Sequence, residues 1–320
     1  MNSIRNLYER YFFTPTSPTL LGLYRVMFYG GLLFLYTWIV PKDFVGYLQL
    51  PDSFWMPIEL FSIAPRPALS VGVMVALTKI WYASLFLSML GLLTRLSTYT
   101  AFLTSLFLFG YTYCFGKVGR SDAILIFVMG IFAVSRCQDA FSVDAAWKQP
   151  SSPPPVSSGE YTWPIRLIRI LLVLLYFGAG LSKAQHSGIS WIHPHNLAVI
   201  LVGPTYAGPE TPWLNGIAVY LAQFPIVTSF MAVYVMAFEI AAPLALLGIR
   251  LRMIIIPALA ILQVLIWLFL GIGFFEHFLC YGFWLPLDRA VPVGLTTVSD
   301  DSGFEPFFDE IAGQQPDSPA

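Results

Sequence analysis

Seven apolar stretches, each about as long as a bilayer core is thick, follow one another along this chain. They lie near residues 20–40, 69–93, 96–115, 122–138, 164–184, 226–248 and 252–272. A hydrocarbon core of ~30 Å is crossed by about 20 helical residues. In hydrocarbon the backbone must satisfy its own hydrogen bonds, so such runs predict helices rather than open strands. An eighth stretch, Phe274 to Leu287, follows a Gly271/Gly273 break and reads as a partial span or a lip at the interface. The expected fold is therefore an all-α, polytopic integral membrane helix bundle with seven spans, or eight if that last stretch crosses. Composition agrees. The chain is 57% hydrophobic and 11% charged, against about 25% charged residues in soluble domains.

The first run is too long for the apolar region of a cleavable signal and ends in Pro41-Lys42 without a small-x-small site, so it reads as an uncleaved span. Placing the N-terminus inside puts nine Lys/Arg in the inner segments (Arg5, Arg10, Arg95, Arg136, Lys148, Arg166, Arg169, Arg250, Arg252). It leaves four outside (Lys42, Arg66, Lys117, Arg120), which favours that orientation. The chain then divides into a cytoplasmic segment 1–19, a membrane domain 20–287 and an acidic, disordered tail 288–320. Within the membrane domain, 139–163 reads as an inner linker, flexible around its Pro/Ser-rich run. Residues 41–68 read as a proline-rich outer loop with Phe54 and Trp55 turned to the interface. The outer loop 185–215 has Trp191, Tyr206 and Trp213 but no Lys or Arg, and is expected to cover the end of the fifth run. A net charge of −1 with no basic stripe argues against nucleic acid as a partner. Membrane lipids are the implied surroundings.

Several side chains carry potential chemistry. Lys183 closes the run Leu171–Ala184, sharing a helical face with Gly180 and Ala179 one turn back and Tyr176 two turns back. The small residues leave a notch for another backbone or a ligand. A lysine there either snorkels to the headgroups or, kept from water, serves as a base or nucleophile. Arg25 and Glu239 fall at matching depths, roughly 20 Å below the outer surface at 1.5 Å per helical residue, and are expected to pair. Lys79, near mid-span, has no acidic partner at its depth. His193-Pro194-His195, with His186 and Glu210, lacks a convincing ligand spacing, so no metal is expected. Cys114, Cys137 and Cys280 read as small packed hydrophobes.

The run Tyr176-Phe177-Gly178-Ala179-Gly180-Leu181-Ser182-Lys183, followed by Trp191, resembles a helix end of the vitamin K-dependent gamma-carboxylases. These belong to the HTTM (horizontally transferred transmembrane) family. Leu23-Tyr24-Arg25, Ser142-Val143-Asp144 and Phe238-Glu239 are similar in order to further motifs of that family. The resemblance implies that Lys183 is a catalytic base with Tyr176 beside it, and that Trp191 and Gly180 line a binding pocket. The implied cofactor is quinol-like or vitamin K-like. The chain departs from the family at Gly119-Arg120-Ser121-Asp122 and Leu262-Gln263, and the family's large luminal domain is not expected after its helices. Two functions are therefore expected as alternatives. One is a membrane enzyme, carboxylase-like or a quinol-dependent lyase or oxidoreductase, using Lys183 on a lipid-soluble or peptide substrate. The other is a non-catalytic, SdpB-like factor for maturation or export of a secreted peptide or protein. The bacterial inner membrane is the expected location.

Overall fold

The computed structural model describes residues 2–63, 66–116, 120–147, 156–207 and 213–287. Among these the regular structure is helical, apart from one isolated bridge between Thr16 and Ser158. The helices are α1 (Asn2–Phe13), α2 (Pro18–Phe34), α3 (Val71–Leu90), α4 (Thr94–Tyr113), α5 (Arg120–Val134) and α6 (Val143–Trp147). They continue with α7 (Thr162–Ser187), α8 (Pro194–Ala207), α9 (Asn215–Leu221), α10 (Pro225–Ala241), α11 (Ile249–Leu270) and α12 (Phe275–Tyr281). Among the described residues, five segments are long and apolar enough to cross a membrane: Pro18–Ile39, Val71–Leu90, Gly159–Ile192, Pro225–Leu246 and Ile249–Leu270. This marks an integral membrane protein. Helix α5 is a shorter apolar helix. Helix α12 has seven residues, roughly 10 Å of rise, and is too short to span. The tail 288–320 and the Pro/Ser-rich run 148–155 lie outside the described residues.

The described residues form two compact units, one of residues up to 168 together with 275–287 and one of residues 169–274. In the first, α2 packs on α3, α3 on α4 and α4 on α5, while α12 packs against α2 and α5. Polarity is arranged for lipid. On α3 and α4 small hydroxyls face inward (Ser84, Ser88, Ser97, Thr98, Ser105), and Val73, Ile80, Phe86, Leu96 and Leu103 face outward. Small inward residues let helices approach closely and hydrogen-bond across the contact, as Trp81 Nε1 does to Ser105 Oγ at 2.7 Å.

Local chemistry sets the helix ends. Ser17 caps α2 through Thr19 N–H with Pro18 at the first helical position, and Ser70 caps α3 through Val73 N–H. Helix α3 ends on Gly91, whose φ of +69° suits glycine. Helix α4 has no cap of its own. Asp144 supplies one from 50 residues away, accepting from Leu93 N–H at 2.8 Å, Thr94 N–H at 2.6 Å and the Thr94 hydroxyl at 2.7 Å. The Asp144 amide in turn donates to the Gly91 carbonyl at 3.0 Å. A Cβ on Gly91 would sit 2.4 Å from Ser142 Cβ and 2.7 Å from an Arg25 nitrogen.

Arg25, fully buried, completes this clasp. It donates to the carbonyls of Cys137, at 2.7 Å, and Phe141. The expected Arg25–Glu239 ion pair is therefore corrected. Arg25 engages backbone oxygens in its own unit through its two terminal nitrogens, and Glu239 pairs with a different cation. A guanidinium carries five N–H donors in a rigid fork, so carbonyls of a helix-ending loop can engage two of its nitrogens at once. The 139–163 linker is likewise ordered at both flanks. Thr16 and Ser158 exchange both backbone hydrogen bonds, at 3.1 and 3.2 Å.

In the 41–68 loop, Phe44 is buried and Trp55 packs edge-on against Phe61 and Phe115, whereas Phe54 is exposed. In the second unit, Leu201, Ala218 and Phe269 form the core where α8, α9 and α11 meet. The described part of the 185–215 segment is mostly helix rather than irregular loop. Pro194 sits at the first position of α8, where its missing N–H costs nothing, and His193 Nδ1 accepts from His195 N–H at 3.3 Å as a cap. Trp213 is 87% exposed, and the Tyr206 side chain is outside the description. All three cysteines are buried and free.

Burial alone would raise the Asp144 carboxyl, but the hydrogen bonds from Thr94 and Leu93 outweigh it and hold it below its ordinary 3.8. A depressed carboxyl stabilises the fold above its unfolded value and loses that contribution as pH falls through the folded one. Asp144→Ala is expected to cost about 1–2 kcal/mol, the usual worth of a cap. Thermal unfolding should show the deficit at neutral pH and its narrowing below about pH 4.

Candidate functional site

Helix α7 carries Lys183 near its C-terminal end, and α10 carries Glu239 two residues before its own. The Lys183 ammonium donates to both Glu239 oxygens, at 2.8 and 2.6 Å. The lysine side chain is 22% exposed and the carboxylate 7%. Trp191, on the 3₁₀ turn Gly188–Ile192 that follows α7, lays its ring 5.5 Å from Lys183 Nζ. A ring face at that distance attracts the cation and excludes water from one side of it. The Trp191 indole N–H is buried and makes no hydrogen bond among the described residues.

The notch beside Lys183 is occupied. A Cβ on Gly180 would lie 2.9 Å from Glu239 Cβ and 2.9 Å from Ile240 N. Gly180 is thus where the backbones of α7 and α10 touch, and that approach brings the carboxylate to the amine. This corrects the reading of Gly180 as a ligand-binding residue: its space is filled by α10. Tyr176 is 2% exposed, buried two turns behind the amine. Lys79 is exposed on α3.

No group of three or more His, Cys, Asp or Glu arranged to hold a metal is found among the described residues. His186 Nδ1 lies 2.8 Å from the Ser182 carbonyl, within one helical turn, and His193 is used as a helix cap. Glu210 lies outside the described residues.

An apolar cavity of about 290 Å³ also lies in this unit, between α8, α10 and α11. Leu197, Phe230, Tyr234, Ile261 and Phe269 are among its walls. Tyr234 turns its hydroxyl away, to the Ala258 carbonyl at 2.8 Å. The cavity therefore presents almost pure hydrocarbon, suited to an acyl or isoprenoid chain. It is lined one turn and more N-terminal to Glu239 on the same helix.

The pairing of Lys183 with Glu239 was not visible in the sequence. The Phe238-Glu239 dipeptide was the available signal, and the small residue Gly180 marked where a second helix would come near. Family models, curated proteins and solved structures yield no match to the chain.

Lys183→Met should leave Glu239 buried and uncompensated. The expected loss is roughly 2–3 kcal/mol, between the limits for exposed and fully buried pairs. Lys183→Arg keeps a charge-assisted pair and should lose much less. Unfolding of the purified variants in lipid nanodiscs checks the order. Equal losses for Met and Arg would mean that the charge is not what matters.

Proposed function

We propose that this chain is an HTTM-type membrane enzyme with seven crossing helices, N-terminus inside, in a bacterial inner membrane. In this reading Lys183 is the base and Glu239 its proton partner. The observation that carries it is the ammonium held on both oxygens of a buried carboxylate beneath the Trp191 ring. A lysine acts as a base only when its amine is neutral. In a water-poor site two opposite charges are expensive to keep. Passing one proton from Nζ to Glu239 along a 2.6 Å hydrogen bond leaves a neutral amine and a neutral acid, and no charge is lost or gained. The amine can then take a proton from a substrate, and the acid can return one. Tyr176 is too deeply buried to meet substrate before some rearrangement, so it holds α7 rather than reacting.

The substrate class that fits is lipid-soluble or peptidic, with a quinol-like cofactor as the redox partner if the reaction is quinol-dependent. The hydrocarbon cavity on α10 supports a chain-bearing molecule. A second reading, a non-catalytic factor for maturation or export of a secreted peptide, is favoured by one observation. Gly180, Glu239 and Lys183 together also make a sufficient helix clamp, which needs no ligand.

Extraction in native-lipid nanodiscs, followed by mass spectrometry of retained molecules, separates the two. The enzyme reading expects a quinone or other chain-bearing compound retained near stoichiometry by the wild type and depleted at least several-fold in Lys183→Arg. Bulk phospholipid alone in both samples would contradict it, and a co-purifying small secreted peptide held equally by both would favour the second reading.

A further inference from the structure

A second cluster of ionisable groups lies wholly in the first unit, built from elements far apart in sequence. The π-helical turn Leu35–Ile39 continues α2 and ends the first span. Its Tyr36 hydroxyl donates to Asp122 Oδ1 at 2.9 Å. Lys42, just beyond, donates to Oδ1 at 3.0 Å and Oδ2 at 3.1 Å. The same ammonium lies 5.2 Å from the Tyr36 ring and 5.4 Å from the Phe109 ring. Asp122 is thus already satisfied by one cation and one hydroxyl.

Glu276, on α12, is the group that this arrangement does not balance. It is 4% exposed, and its Oε2 makes no hydrogen bond among the described residues. The charged groups facing it are Asp122 on α5 and Lys42, with the Tyr36 and Tyr113 hydroxyls from the other packed elements. Lys42 cancels one carboxylate. A second, ionised and buried beside the first, would leave a net negative charge in a water-poor site, and two adjacent carboxylates avoid this by keeping a proton. A cavity of about 270 Å³, lined by Lys42, Phe44, Tyr47, Phe109, Tyr113 and Asp122, reaches this cluster and gives a proton a route to it.

We infer that Asp122 and Glu276 form a proton-binding site, with one proton held on Glu276 and the Asp122–Lys42 pair left ionised. Burial first, and then the Asp122 charge, push the Glu276 carboxyl up to about 7. Its neighbour His277 is held neutral by burial, down to about 4, and adds no charge near neutrality. The native fold therefore binds an extra proton between the ordinary carboxyl value of 4.5 and about 7. Stability from this group is present below that window and falls as pH rises through it.

Infrared titration of the protein in lipid nanodiscs tests the assignment. A protonated-carboxyl band should vanish with a midpoint near pH 7, be missing in Glu276→Gln, and move toward 4.5 in Asp122→Asn. A Glu276 band titrating at 4.5 in the wild type, or a band near 7 that survives Glu276→Gln, would overturn it. Thermal stability of the wild type relative to Glu276→Gln supplies a second reading. That difference should shift against the wild type between pH 4.5 and 7, and a shift in its favour across that window would count against the site.

Discussion

A charge inside a membrane helix must find its compensation within the protein, because the lipid offers none. Much of the described architecture follows from three closures of charged groups. Arg25 draws the loop after α5 against the turn between α3 and α4, by donating to the Cys137 and Phe141 carbonyls. Asp144 locks the same turn by capping α4. Lys183 and Glu239 close α7 on α10. Each closure depends on a small residue that lets backbones meet: Gly91 in the first unit and Gly180 in the second. Replacing either glycine would displace the groups that meet these charges, so packing and electrostatics are not separable here.

The same closures give the Lys183 pair and the Asp122 cluster different characters. Lys183 meets one carboxylate and an aromatic face, so its charge is balanced with nothing left over. Lys42 meets one carboxylate while a second stands next to it, so that cluster holds one negative charge too many unless a proton is bound. Balanced pairs suit proton exchange between two partners, and unbalanced ones suit exchange with the surroundings. Both sites lie at helix ends, where a side chain can be shielded from water and still reached from it.

The helical runs were legible because bilayer thickness sets their length. The predicted run 252–272 and the observed Ile249–Leu270 differ by a few residues at each end. The partner of Glu239 was not legible, and the reason is geometric. Counting depth along a helix assumes that each helix starts at a bilayer face. Helix α10 instead starts at Pro225 after α8 and α9, whose packing with α10 and α11 sets its position. A helical side chain also leans toward its own N-terminus, so the long lysine stem reaches back along α7. The helical character of the 185–215 segment was not legible because its prolines sit where a helix tolerates them: Pro194 opens α8 and Pro204 lies within it. The Glu276 site left no sequence signal, since Tyr36, Lys42, Asp122 and Glu276 come from four separate stretches.

The claim on which the functional reading turns is that one proton moves between Lys183 and Glu239. Nitrogen NMR of protein labelled at the lysine Nζ, in lipid nanodiscs at neutral pH, observes it directly. Lys183 should sample the neutral amine, shifting away from the ammonium position of free lysine, and the shift should change in Glu239→Gln. A Lys183 signal fixed at the ammonium position, and unaltered by that substitution, would contradict the claim and leave the pair as a clamp between two helices.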